Sequence, residues 1–210
     1  MKYSHIIFDV DGTLLDTARC ILVSLQDALK ETDGLSVEYD DLVFALGCTS
    51  LDVLVRLKVQ DPETTLKLWV ENEDKYSDMM QLFDGIQNLL EDLKSAGCHL
   101  GIATSRTKEE FDLVFRKRPI CDMFSTIICA CDVDNPKPSP EPLLKYMELT
   151  GASKEDLLYV GDSPGDEKCA SAAHIDFALA TWGAHTAGVP AKYYPENPAQ
   201  LKELIINKSK

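Results

Sequence analysis

The sequence predicts an α/β fold, a Rossmann-like doubly wound parallel sheet with a four-helix block inserted after the first strand. Three observations carry this. The run Ile6-Ile7-Phe8 is short and apolar and gives way at once to polar residues, as expected of a strand buried on both faces. From residue 86 onward, short apolar runs alternate with amphipathic segments, the pattern of β-α units wound on a parallel sheet. Between these, residues 16–82 read as helices only.

Taken in order, the first strand ends in Asp9-Val10-Asp11-Gly12-Thr13. Ile21, Leu22, Leu25, Ala28 and Leu29 recur at helical spacing up to a break at Asp33-Gly34. Residues 39–46 predict a short second helix ending at Gly47, and 50–58 a third. Asp61-Pro62 supplies an N-cap and a first-turn proline for a fourth helix running to about residue 80. After Asp84-Gly85, an amphipathic helix over 86–96 ends at Gly97. Strands at 100–104, 126–129, 157–160 and 176–180 then alternate with helices at 108–115, 140–150, 164–173 and 198–206. The expected division is an α/β core of residues 1–15 and 83–210 and a helical cap domain of residues 16–82.

The 210 residues suit one compact domain or a core with a modest insertion. With 21 basic and 35 acidic side chains the formal net charge is −14. That disfavours nonspecific nucleic-acid binding, which needs Lys and Arg to neutralise phosphates. An anionic substrate would need local positive charge. No window approaches the ~20 apolar residues of a membrane span, so no membrane partner is expected. The seven cysteines form no Cys-x-x-Cys pair and mostly lie in apolar surroundings, which points to reduced thiols and a cytoplasmic location. The four histidines show no ligand spacing.

Open sheets of this kind place their ligands at the carboxyl ends of the strands. Polar groups collect there. Asp9 and Asp11 follow the first strand, Thr104-Ser105-Arg106 the second, and Gly161-Asp162-Ser163-Pro164-Gly165-Asp166 a later one. Lys137 lies in a proline-rich loop, Asn135-Pro136-Lys137-Pro138. Residues i and i+2 of a strand project to one side, so Asp9 and Asp11 would repel unless a cation or a shared proton compensated. That suggests metal binding combined with acid/base work. Plainer readings exist: an Asp-Gly turn, a helix cap or strand-end hydroxyl at Thr104, a first-turn helix acid at Asp166 after the cap Ser163, a surface Lys137. Asp132-Val133-Asp134-Asn135 lacks the glycine and terminal glutamate of a calcium loop. Arg56 lies on a helix face expected to be solvated, and Arg106 and Lys108 either meet a substrate tail or merely start a helix.

Together these residues resemble the four motifs of the haloacid dehalogenase superfamily, over about residues 4–183. The helical insert resembles that of its phosphatase branch and is similar to phosphoglycolate phosphatases. The resemblance implies that Asp9 is the nucleophile and forms an aspartyl-phosphate. It makes Asp11 general acid and then general base, with its backbone carbonyl on Mg²⁺. Asp9 and Asp162 would give side-chain ligands, and Asp166 a direct, water-mediated or orienting contact. Thr104 and Ser105 would bind the phosphoryl oxygens, and Lys137 would neutralise their charge. The expected function is a Mg²⁺-dependent phosphatase of small phosphorylated metabolites, phosphoglycolate first. An inorganic pyrophosphatase, a nucleotidase and a phosphomutase of the beta-phosphoglucomutase type share the motifs, and a noncatalytic binding module is the alternative of another class. Monomer and dimer both stay open. The chain departs from many relatives in carrying Phe83-Asp84-Gly85 where they have Tyr-Pro-Gly.

Overall fold

The structure, a computed structural model, describes residues 2–206. Strand β1 (His5–Phe8) turns sharply into β2 (Leu15–Asp16). The chain then runs through α1 (Ala18–Asp33), a 3₁₀ segment (Asp40–Ala45), α2 (Ser50–Leu57) and α3 (Pro62–Lys75), and returns on β3 (Gln81–Leu82). Beyond it come α4 (Ile86–Ser95), β4 (His99–Ala103), α5 (Lys108–Phe111), β5 (Thr126–Ile128) and α6 (Glu141–Thr150). β6 (Leu157–Gly161), α7 (Pro164–Ala172), β7 (Asp176–Leu179) and α8 (Pro198–Ile206) complete the described chain.

Among the described residues, five strands form one parallel sheet in the order β5-β4-β1-β6-β7. The first strand is therefore central, with Phe8 opposite Ile102 on one side and Val160 on the other. This register brings Asp9, Thr104 and Asp162 to the same carboxyl edge. Alternation along the strands divides the core. Ile6, Phe8, Ile102 and Val160 pack under α4, α5 and α8. Ile7, Ala103 and Tyr159 face α6 and α7. The helical insert has an apolar cluster of its own, with Leu22, Leu25, Leu29, Leu54 and Trp69 buried in it. Trp69 anchors α3 to α1 by donating from Nε1 to the Ile21 carbonyl at 3.1 Å. No helix of the described residues is long and apolar enough to cross a membrane.

The insert is not purely helical. β2 and β3 pair antiparallel at its base, Leu15 opposite Leu82 and Asp16 opposite Gln81. Two residues a side are too few for any periodicity to reveal. The segment expected as a second helix winds as 3₁₀, and Tyr39 before it gives no side-chain cap. Stretches this short and uncapped favour the tighter coil. α3 stops at Lys75, not near residue 80, because the chain must unwind to enter the ribbon. The helix expected over 108–115 leaves α geometry at Asp112, where a π turn runs to Arg116.

Candidate active site

Asp9 extends the line of β1 by one residue, its N–H donating to the Val160 carbonyl at 2.9 Å. The chain then folds back on itself. Leu14 and Leu15 both donate to the Val10 carbonyl, and Gly12 takes φ 73°. Only glycine fits here, since a Cβ would strike the Asp162 carboxylate as well as strain the turn. β1 ends at Phe8, so Asp11 lies in the turn beyond the strand, where Arg106 holds its carboxylate; Asp9 and Asp11 still line one space, and Asp11 raises the Asp9 carboxyl.

Lys137 is fully buried between Asp9 and Asp166, with Nζ 2.9 Å from one carboxylate and 2.8 Å from the other. Asp166 has both oxygens engaged. Oδ1 accepts from Lys137 and from the Tyr159 hydroxyl at 2.7 Å, and Oδ2 accepts from the Ser163 N–H at 3.0 Å and hydroxyl at 2.6 Å. It thus closes the capping box that Ser163 opens at α7 and pairs with Lys137 at once. Asp162 accepts from the Thr13 hydroxyl at 3.1 Å. Thr104 accepts the Arg106 backbone N–H on its hydroxyl at 3.2 Å, which leaves the hydroxyl proton to donate elsewhere. Ser105 donates to the Gly47 carbonyl of the insert at 3.1 Å.

Carboxylate oxygens of Asp9, Asp162 and Asp166 lie within 4.8 Å of one another, all buried. Burial pushes the Asp9 carboxyl up to about 7 against the pull of Lys137, and Asp166 and Asp11 push the same way. Burial, with Asp166 and Asp9 close by, drives Asp162 well above the usual carboxylate range. Burial also acts on Asp166, but Lys137, Ser163 and Tyr159 outweigh it and hold its carboxyl low. Asp9 and Asp162 are therefore two buried carboxylates with one ammonium between too many anions. The buried carboxylates of Asp9 and Asp162, short of positive charge, offer hard oxygens that suit a small divalent cation such as Mg²⁺.

Asp11 lies in a different network. Arg106 donates to its two oxygens from Nε and Nη2 at 2.7 and 2.8 Å, and from Nη1 to Glu73 of α3 at 2.8 Å. Burial opposes ionisation of Asp11, but Arg106 outweighs it and the carboxyl is held low. The sequence reading missed Glu73 and Tyr159. Glu73 sits one helical turn after the buried Trp69, and only the meeting of insert and core explains an acid there. Tyr159 was one more apolar member of a strand. Arg56 stays on an exposed face of the insert, its guanidinium 3.8 Å over the Phe44 ring. Asp132 caps a turn by accepting from the Cys129 N–H at 2.8 Å. No disulfide joins any of the seven cysteines, and five of them are buried.

A central first strand, an aspartate at its carboxyl end and a buried lysine bridging that aspartate to another define a class. The profile of haloacid dehalogenase-like hydrolases matches residues 6–180, and the chain belongs to that family. It is an enzyme, a phosphatase of that family. The crystal structure of a putative phosphoglycolate phosphatase from Lactobacillus plantarum superposes with a TM-score of 0.88 at 27% identity, covering 97% of this chain and 100% of that one. A haloacid dehalogenase-like hydrolase from Bacteroides fragilis gives 0.85 at 28%, over 95% and 100%. The pyrophosphatase PpaX of Bacillus cereus strain AH820 is 25% identical over 199 residues, 93% of this chain and 91% of its own.

Proposed function

We propose that this phosphatase is Mg²⁺-dependent and hydrolyses small phosphomonoesters through an aspartyl-phosphate on Asp9. The observation that carries the reading is Lys137, whose Nζ lies 2.9 Å from Asp9 and 2.8 Å from Asp166 beside the buried Asp162. Such a buried ammonium offsets charge where an anionic phosphoryl group would approach a carboxylate. Asp9 and Asp162 would hold the ion by their side chains and Asp11 by its carbonyl, with Asp166 keeping Lys137 in place. The bound ion would supply electrostatic stabilisation of the phosphoryl oxygens and keep Asp9 ionised.

The rest belongs to the chain. A carboxylate oxygen of Asp9 attacks phosphorus and the ester oxygen leaves. Asp11, once off Arg106 and carrying a proton taken up from solvent, gives that oxygen its proton. Asp11 then takes a proton from water, whose oxygen attacks the acyl-phosphate and restores Asp9. Thr104 donates its hydroxyl to a phosphoryl oxygen, and Ser105 lies beside it. Residues 16–82 act as a cap that opens at the β2–β3 ribbon to admit substrate and closes to keep water from the first step. Cysteines outside any disulfide fit a reducing, cytoplasmic setting.

Two leaving groups have support from relatives: glycolate, from the Lactobacillus plantarum structure, and phosphate, from PpaX. The test of the reading is Asp9→Asn assayed with para-nitrophenyl phosphate and Mg²⁺. Turnover is expected to fall by at least about 10³-fold, the order seen when a covalent nucleophile is removed. Retained turnover would eliminate Asp9 as nucleophile.

A further inference from the structure

Arg106 holds more negative charge than a phosphate loop requires. Its guanidinium takes both oxygens of Asp11 in a fork and a third carboxylate oxygen from Glu73. The three side chains are 8, 16 and 7% exposed, so the network is all but sealed from water. The space enclosed between core and insert, lined by Asp9, Asp11, Trp69, Glu73 and Arg106, is about 30 Å³. That admits a water or two, not a phosphoryl group with its leaving group. While the fork holds, both oxygens of Asp11 already accept from Arg106, and the proton transfers assigned to Asp11 need it released.

Release has a condition. Arg106 is buried, and a buried cation stripped of a partner is strongly disfavoured. A neutral leaving group brings no substitute for the Asp11 carboxylate. A second anion does, and a planar or tetrahedral oxyanion meets the guanidinium fork as Asp11 does. Arg106 is the cation among the residues lining this space, while Ile21, Ala45 and Trp69 make the facing wall apolar.

We infer that the substrates of this enzyme carry a second anionic group, a carboxylate or a further phosphate, a few bonds from the transferred phosphoryl group, and that this group replaces Asp11 on Arg106. Arg106 then keeps two anionic partners throughout, first Asp11 and Glu73, then the substrate and Glu73. Glu73 remains on Nη1 and ties the reader of the substrate to the insert. Arg106 is on this account the residue that sets specificity for the leaving group. The inference rests on the phosphatase reading and narrows it.

The experiment compares kcat/KM for 2-phosphoglycolate, pyrophosphate and ethyl phosphate with Mg²⁺, in the full chain and in Arg106→Gln. The better of the two doubly anionic substrates is expected to exceed ethyl phosphate by about 10²-fold or more in the wild type. The ratio should collapse to within about threefold in Arg106→Gln. Whichever anionic substrate leads identifies the second group as carboxylate or phosphate. Should Arg106→Gln fail to fold, Arg106→Lys keeps the charge without the fork, and an intermediate ratio is expected. A wild-type ratio within about threefold overturns the inference, as does a ratio that survives in either variant. In both of those cases Asp9-dependent hydrolysis of ethyl phosphate leaves the phosphatase reading standing. Absence of Asp9-dependent phosphate release from all three substrates sinks that reading instead.

Discussion

Tyr159 occupies a core position in the middle of β6, yet its hydroxyl is wired to the site. It lies 2.7 Å from Asp166 Oδ1 and 3.0 Å from the Ala103 carbonyl, and accepts from Lys137 at 3.2 Å. Burial, together with Asp166 and Asp9, raises the phenol far above its ordinary range, so it stays a neutral donor. Removing the hydroxyl strips partners from groups that water cannot reach. We expect Tyr159→Phe to destabilise the fold by about 1–3 kcal/mol, the cost of a buried polar group left short of a bond. It should lower kcat several-fold more than it alters KM, because Lys137 loses a partner without losing its charge. Urea unfolding and steady-state kinetics check the two halves. At this scale the sequence was most legible where chemistry demands a residue type. Asp9, Thr104, Lys137 and Asp162 stand at strand ends or in a constrained loop, and all four line one edge of the sheet. A tyrosine inside an apolar strand or a glutamate on an amphipathic helix has an ordinary explanation, so neither stood out.

Among the elements, the turn at Gly47 fixes how the insert sits on the core. Gly47 takes φ 83°, and a Cβ there would come within 2.7 Å of both Cβ and Oγ of Ser163. Its carbonyl accepts from Ser105, and three residues on, Ser50 donates to Glu110 of α5 at 2.6 Å. With Glu73 on Arg106, these are three polar ties between insert and core, each contributed by a different segment of the insert. Gly47→Ala should therefore hold the insert off the core. The expected result is a fall in kcat of about tenfold or more, with the unfolding of the α/β core little changed. Kinetics paired with hydrogen exchange in α2 would register it, faster exchange there being the mark of a loosened insert. Element boundaries were legible where a proline or glycine punctuates the chain, as at Asp61-Pro62 and Gly97. They were not where tertiary contacts decide, as in the early end of α3, the 3₁₀ segment and the π turn.

Over the whole molecule, charge sets one limit on stability. Lys2, Lys192 and Tyr3 converge on Asp176 at the start of β7, at 2.9, 2.6 and 2.6 Å. Partial burial acts against ionisation, but the two lysines and the phenol prevail and bring Asp176 down to about 2. A carboxyl lowered on folding stabilises the native state above its unfolded value of about 4, and that contribution disappears as pH falls through about 2. Asp176→Asn should accordingly lower Tm at pH 5 to 7, and the gap from wild type should narrow between pH 4 and 2. A gap constant across that range would show that the ion pairs contribute nothing. The parallel sheet itself was legible from alternation alone, because both its faces are covered and each strand carries a short apolar run. The two-residue ribbon at the root of the insert was not.

That ribbon sets Leu15 directly across from Leu82, so the chain leaves the sheet and comes back at a single point. Whatever is threaded between those two residues adds no distance between the strands that flank it. A longer or shorter segment between the same two anchor residues would therefore leave the edge carrying Asp9, Thr104, Lys137 and Asp162 in the same register.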